Sequence, residues 1–346
     1  MNFFTRSRKN PILKPFPNHK WESFKVYNCG AIYENNKYHL FYRAVGKGNS
    51  WHSSIGYAVS DNGEVFTRFK KPLLYPKKPF EKLGVEDPRI TKVDNTFFMT
   101  YTAYDGDCAR LGLATSSNLK SWIRHGVMLK KWNLIDAGGF VVEWDEARKN
   151  SKIAPELSKA GVIFPEVIGG KYWMLFGDSN IWLATSNNGL TWRAGPKPFL
   201  RPRKGNHFDS VHVEMGPSPI KTEKGWLVLY HGIDKKIYYR IGFLLLDLNN
   251  PSKILYRSDN PIFEPEESYE LKGIVDILPG GLKALQKMNK AKLKKFLEAA
   301  DKTGRMPKVT FCCGATLVGD ALRIYYGASD TFICTATASL KNILDR

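Results

Sequence analysis

Ile55-Gly56-Tyr57-Ala58-Val59-Ser60 returns along the chain as Leu111-Gly112-Leu113-Ala114-Thr115-Ser116 and again as Ile181-Trp182-Leu183-Ala184-Thr185-Ser186. Ile241-Gly242-Phe243-Leu244-Leu245-Leu246 and Cys334-Thr335-Ala336-Thr337-Ala338 are looser copies. After the first three, a polar turn leads to an aromatic residue, Phe66, Trp122 or Trp192. Ahead of every copy lies a second shared pattern: a small-residue start, an extended run, a turn, and an aromatic-rich strand ending in polar residues. Its five instances run from Gly30 to Arg43, Asp87 to Asp105, Gly161 to Asp178, Gly216 to Gly232 and Cys313 to Asp330. The turns Asn35-Asn36-Lys37, Asp94-Asn95, Gly169-Gly170-Lys171, Glu223-Lys224-Gly225 and Gly319-Asp320 are hairpin signals between β-formers. Repeats of four short strands predict propeller blades, and five copies predict an all-β, five-bladed β-propeller. The uneven spacing places insertions on the rim. A single catalytic domain over 1–346 is expected.

Composition agrees with that reading. The chain has 346 residues, of which 43% are hydrophobic and 13% aromatic, ample for a large core. Length alone suggests two domains, but all-β folds run long as one. No stretch of 18 apolar residues predicts a membrane span, and Met1 to Lys9 has no apolar signal core. The five cysteines (29, 108, 312, 313 and 334) are odd in number and lack CxxC spacing, which points to a reduced, cytoplasmic protein without a zinc site. A formal charge of +19 favours anionic partners in general, yet no nucleic-acid motif accompanies it, so it reads as solvated surface. A nucleic-acid binder would show steep salt dependence and ranks last. Two stretches break the β pattern. Residues 143–160 are charged and read as helix or loop. Residues 282–303 place apolar residues at helical spacing among lysines, a short basic helical insertion before the last blade. It is expected to cap the fold or to form a homo-oligomer contact.

The chemistry starts at Gly84-Val85-Glu86-Asp87-Pro88-Arg89-Ile90. Pro88 fixes its own φ and is expected to hold Asp87 extended, so that Glu86 and Asp87 face opposite ways and do different jobs. A carboxyl on a stiff segment suits general acid catalysis. In a propeller the innermost strands line a central channel, and residues at one end of them converge. The candidates are Asn28 and Arg43; Glu86, Asp87, Arg89, Tyr104 and Asp105; Asp136 and Asp178; His212, Glu214, His231, Tyr239 and Arg240; and Tyr326 and Asp330. Carboxylates, arginines and aromatic walls suit a sugar. They suit a metal less well, for want of ligand spacing, and no cofactor is expected. The absence of a Gly-rich phosphate loop and of GxSxG argues against nucleotide and serine-hydrolase chemistry. Trp51 and His52 form either a stacking platform or rim packing.

These residues resemble glycoside hydrolase family 130, the β-mannoside phosphorylases and mannosidases. The resemblance covers nearly the whole chain. It includes Asn10-Pro11-Ile12-Leu13, Tyr42-Arg43-Ala44, Gly84 to Ile90, Tyr101 to Asp105, Tyr230-His231-Gly232, Pro261 to Glu266 and Tyr325 to Asp330. It implies a five-bladed propeller and an inverting mechanism. It also implies that Asp87 is the general acid, its proton relayed through a hydroxyl of the −1 mannose, and that Asn28, Arg43 and Asp330 hold that sugar.

The nucleophile is where this chain departs from the family pattern. A phosphorylase needs a cationic pocket for phosphate. By the resemblance His231 contacts phosphate, but the usual lysine of Lys-x-Gly-x-Gly-Pro is replaced by His212 in His212-Val213-Glu214-Met215-Gly216-Pro217. The basic residue usual near the end of the third blade's strand gives way to Phe176-Gly177-Asp178-Ser179. Glu214 adds a carboxylate that repels phosphate and deprotonates water, about 6.5–9.5 Å from the acid in an inverting hydrolase. The leading expectation is therefore an inverting hydrolase of β-mannosides with Glu214 as base. The alternatives are a β-mannoside phosphorylase taking inorganic phosphate, with His231 and Arg240 holding it, and a non-catalytic glycan-binding propeller. In the hydrolase reading's rival, Glu214 only binds a sugar hydroxyl or pairs with Arg240.

Overall fold

The computed structural model describes residues 3–47, 52–140, 154–272 and 308–345. It is nearly all β, with two short α-helices among the described residues, α1 (Ser268–Leu271) and α2 (Leu340–Leu344). After β1 (Thr5–Arg6), the strands fall into antiparallel groups. The first holds β2 (Lys25–Glu34), β3 (Lys37–Val45), β4 (Ser53–Ser60) and β5 (Thr67–Arg68). The second holds β6 (Gly84–Val93), β7 (Thr96–Tyr104), β8 (Ala109–Ser116) and β9 (Ile123–Val127), joined to the first by one parallel pairing of Ser53 with Gly84. The third holds β10 (Val162–Ile163), β11 (Tyr172–Phe176), β12 (Trp182–Ser186) and β13 (Arg193–Ala194). The fourth holds β14 (His212–Met215), β15 (Ile220–Thr222), β16 (Gly225–Ile233), β17 (Tyr239–Leu246) and β18 (Ile254–Arg257). The fifth holds β19 (Thr310–Val318), β20 (Ala321–Ala328) and β21 (Phe332–Ser339). Its outer strand is β1, with Thr5 opposite Thr337 and Arg6 opposite Ala336.

Apolar cores lie between successive groups. Phe41 and Tyr57 of the first meet Ile90 and Met99 of the second. Leu111 meets Met174 and Trp182, Leu175 meets Val213 and Val228, and Phe243 meets Ile324. Val26 and Tyr42 then meet Tyr325 and Ile333, so the fifth group packs back on the first and the groups close on themselves. The innermost strands approach closely: a Cβ on Gly30 would lie 2.6 Å from the Pro88 carbonyl oxygen. This crowding is the physical reason for glycine at the start of the first repeat.

A buried triad ties four of the groups together from within. A tyrosine on the middle strand donates to a carboxylate on the incoming segment, which also pairs with an arginine from the outermost strand. Tyr42 Oη lies 2.8 Å from Glu22, which Arg68 meets at 3.0 Å. Tyr101 and Arg124 share Glu81, and Tyr230 and Arg257 share Asp209 at 2.7 and 2.5 Å. Tyr326 and Arg6 share Glu270 at 2.7 and 2.8 Å. All four carboxylates are fully buried. Tyr326 therefore belongs to this triad and not to the channel, because its hydroxyl is committed to Glu270. Gly56, Gly112 and Gly242 sit opposite Tyr42, Tyr101 and Tyr230, leaving room for the rings.

All five cysteines are buried and free. Among the described residues no helix is long and apolar enough to cross a membrane. The 282–303 insertion, Trp51 and most of 143–160 lie outside the described residues.

Candidate active site

Asp87 does not take the extended conformation expected before proline. Its φ is +48°, and the β6–β7 register slips between Glu86 and Arg89, so Asp87 and Pro88 form a bulge. Outside the ladder, Pro88 sacrifices no strand hydrogen bond, and a short polar side chain tolerates the left-handed region. Asn28 occupies a matching bulge in β2, with φ +44°. Asn28 Nδ2 donates to Asp87 Oδ1 at 3.0 Å, and Arg43 Nη1 lies 3.4 Å from the same oxygen. Glu86 accepts from Arg43 Nη2 at 2.6 Å and from Ser53 Oγ at 3.0 Å, while Arg43 Nε donates to Ser53 Oγ at 2.9 Å. Glu86 thus balances the Arg43 charge and fixes the guanidinium that, with Asn28, holds Asp87. Asn28, Arg43, Glu86 and Asp87 are all buried. Among the described residues none is hydrogen-bonded to Asp87 Oδ2.

A second cluster stands on the third and fourth groups. Lys159 Nζ lies 2.7 Å from Asp178 and 3.4 Å from Glu214; His212 Nε2 lies 2.7 Å from Asp178 and 3.6 Å from Glu214. Burial alone would lower the His212 pKa, but the Asp178 and Glu214 carboxylates overcome it and raise it from 6.5 to about 9. His212 is therefore a cation at neutral pH. Burial pushes Asp178 up, and Lys159 and His212 together pull it far below the usual carboxylate range. Donor atoms of Asp178, His212 and Glu214 fall within 4.8 Å of one another, a spacing a metal could use. The Lys159 ammonium, in contact with both carboxylates, already supplies the positive charge there. Glu214 takes its cations from Lys159 and His212, not from Arg240.

One residue senses both clusters electrostatically. Burial raises the Asp330 carboxyl; Lys25 and Arg43 lower it, and Asp87 and Glu214 raise it further, so its charge responds to a carboxylate of each cluster. Burial holds the Tyr239 hydroxyl protonated, helped by the Glu214 charge, which makes it a donor beside Lys159 and Asp178. Orphaned polar atoms gather nearby: Asn28 Oδ1, both amide atoms of Asn180 and His231 Nδ1 are buried without a hydrogen-bond partner in the protein.

Other candidates are placed elsewhere. His231 is fully buried, stacks on Phe311 at 4.2 Å and accepts from the Cys312 N–H at 2.8 Å. Burial, aided by Arg89 and His212, lowers its pKa to about 3. It is a neutral imidazole and brings no charge to an anion. Arg89 donates to the carbonyls of Asp87, Met215 and Gly216 at 2.8–3.0 Å, clamping the second group to the fourth. Arg240 pairs with Asp234 and Glu264, both at 2.8 Å, on the rim. Tyr104 donates to the Gly106 carbonyl, and Asp105 caps the same turn and pairs with Arg110 at 2.5 Å. Asp136 and His52 are exposed. Sequence reasoning missed Lys159, Ser53, Lys25 and Asn180. Lys159 had a readable signal: it stands directly before the Ala160-Gly161 start of the third repeat, but it was absorbed into a stretch read as charged loop.

A family profile described as beta-1,4-mannooligosaccharide phosphorylase matches residues 5–292. A 1,2-beta-oligomannan phosphorylase of Thermoanaerobacter sp. (strain X514) is 35% identical, covering 98% of each chain. A beta-1,2-mannobiose phosphorylase of the same organism is also 35% identical, again over 98% of each chain. A solved structure from work on β-1,2-mannosidic glycoside hydrolases within the family of mannoside phosphorylases superposes with a TM-score of 0.77 at 29% identity, covering 98% of this chain and 94% of the other.

Proposed function

The chain belongs to glycoside hydrolase family 130, and from that premise we propose that it is an inverting β-mannoside phosphorylase built on a five-bladed β-propeller. The five strand groups are the blades, and β1 closes the ring on β21. The observation that carries the reading is the Lys159–His212 pair of cations, held by Asp178 between the third and fourth blades, with Asp330 sensing both Glu214 beside them and Asp87. It puts two cations, balanced by Asp178 and Glu214, where the family pattern has its lysine, and it draws on residues other than His231 and Arg240.

In this mechanism Asn28 and Arg43 hold Asp87 against the −1 mannose, with Asp330 across from it. A phosphate oxygen, steered by Lys159 and His212, attacks the anomeric carbon from the face opposite the leaving group. The bond from that carbon to the glycosidic oxygen breaks. The Asp87 proton, relayed through a mannose hydroxyl, neutralises the departing oxygen. The products are α-mannose 1-phosphate and a mannoside shorter by one unit. The relatives' names make β-1,2-mannobiose the first substrate to test. Incubation with and without phosphate is expected to give mannose 1-phosphate only with it, and Asp87→Asn to lower turnover roughly a hundred- to ten-thousand-fold.

Hydrolysis is the second reading. Glu214 lies on the innermost strand of the fourth blade, and a solved relative is associated with hydrolases. Release of free mannose at a rate indifferent to phosphate would overturn phosphorolysis in its favour, with Glu214 deprotonating water.

A further inference from the structure

Lys159, His212, Asp178 and Glu214 set two cations against two carboxylates. A pocket made only for a proton-free dianion would omit the carboxylates, since each repels the ligand. The two acids are held differently. Asp178 sits 2.7 Å from both Lys159 and His212, so it positions the cations. Glu214 lies at 3.4 and 3.6 Å from the same atoms, longer than a normal N–H···O bond, with its side chain only 5% exposed. Its oxygens therefore keep acceptor capacity beyond these two contacts, and a buried acceptor needs a donor. Hydrogen phosphate carries one proton. Sulfate, of the same charge and shape, carries none at neutral pH.

Resting on the phosphorolytic reading, we propose that Glu214 accepts a hydrogen bond from the proton of hydrogen phosphate, and that this contact makes the site select protonated oxyanions and reject sulfate. The proton stays on the oxyanion throughout, and no bond to Glu214 forms or breaks. Arsenate keeps the proton and is accepted; fluorophosphate, a dianion without one, is refused. Glu214→Gln replaces the acceptor oxygen by an amide that can donate, which removes the ground for refusing sulfate.

The test measures cleavage of β-1,2-mannobiose at a phosphate concentration near its KM, with sulfate or fluorophosphate added or arsenate substituted. In the wild type, arsenate supports cleavage, and sulfate and fluorophosphate compete on the order of 100-fold more weakly than phosphate binds. In Glu214→Gln the sulfate-to-phosphate preference moves toward sulfate by roughly tenfold or more. Sulfate competing within about threefold of phosphate in the wild type overturns the inference, as does an unchanged preference in a folded Glu214→Gln. If that variant fails to fold, the wild-type competition decides alone. Wild-type cleavage that needs no phosphate sinks the phosphorolytic reading and this inference with it. Phosphate-dependent cleavage that sulfate suppresses sinks this inference only.

Discussion

In the phosphorolytic reading, His212 is the side chain whose protonation decides how the pocket treats an anion. Its pKa is raised from 6.5 to about 9 because Asp178 and Glu214 outweigh the cost of burying its charge. The sign follows directly. The folded-state value lies above the unfolded one, so the stability it contributes is full below about 6.5 and is lost as pH rises through about 9. In the phosphorolytic reading phosphate affinity falls on the alkaline side with it, because phosphate stays dianionic as pH rises through about 9 while His212 loses its charge. KM for phosphate is expected to rise above pH 9, with kcat at saturating phosphate changing less. His212→Asn is expected to raise KM at neutral pH and to erase the break. A wild-type KM for phosphate that is flat from pH 7 to 10 would show that His212 does not face the anion. At this scale the sequence showed the acids and hid their partners. Asp87 could be picked out because an acidic pair before proline is distinctive, whereas Lys159 lies amid other charged residues and acquires meaning only when the third and fourth groups come together.

Bulges and triads govern the strands. The bulges at Asn28 and Asp87 turn two neighbouring innermost strands so that their side chains meet, which regular alternation would prevent. Local rules pointed the other way, since proline favours an extended predecessor; the left-handed backbone at Asp87 sits in a bulge whose Pro88 carbonyl packs against Gly30 and whose Asp87 carbonyl accepts from Arg89. The hairpins were readable because turn chemistry is local: Asn35 and Asn36 both adopt positive φ, as a two-residue primed turn requires. The Tyr–carboxylate–Arg triads were not, since their members come from three separated segments. Each triad fastens an incoming segment to the middle and outer strands. Tyr230→Phe removes the hydroxyl that donates to Asp209 and accepts from Arg257 at 3.2 Å, leaving both imperfectly satisfied in a buried site. A loss of about 1–3 kcal/mol is expected in denaturant unfolding. An unchanged midpoint would mean that the triad is redundant. In the third group Phe176 packs on Trp132 and Trp182, so aromatic contact does the fastening there.

For the whole molecule, the decisive join is between β1 and β21. It is only two residues wide, Thr5 to Thr337 and Arg6 to Ala336, and it leans on Arg6. That side chain lies over the Phe263 ring at 4.3 Å and reaches Glu270, Glu266 and the Glu264 carbonyl. Arg6→Ala leaves Glu270 buried with only Tyr326 and two backbone amides as donors. A loss of about 3 kcal/mol is expected, together with faster proteolysis at the seam. Stability equal to the wild type would show that the cores between groups hold the ring unaided. The same join has a consequence for synthesis. During synthesis β1 is made before every other described strand and its partner β21 after all of them, so the fifth group keeps one edge open until these two distant segments meet. The earlier groups can form in order as they emerge, but this join waits for both partners, which makes the open edge of β21 the point at which a chaperone, or a neighbouring chain, competes with β1.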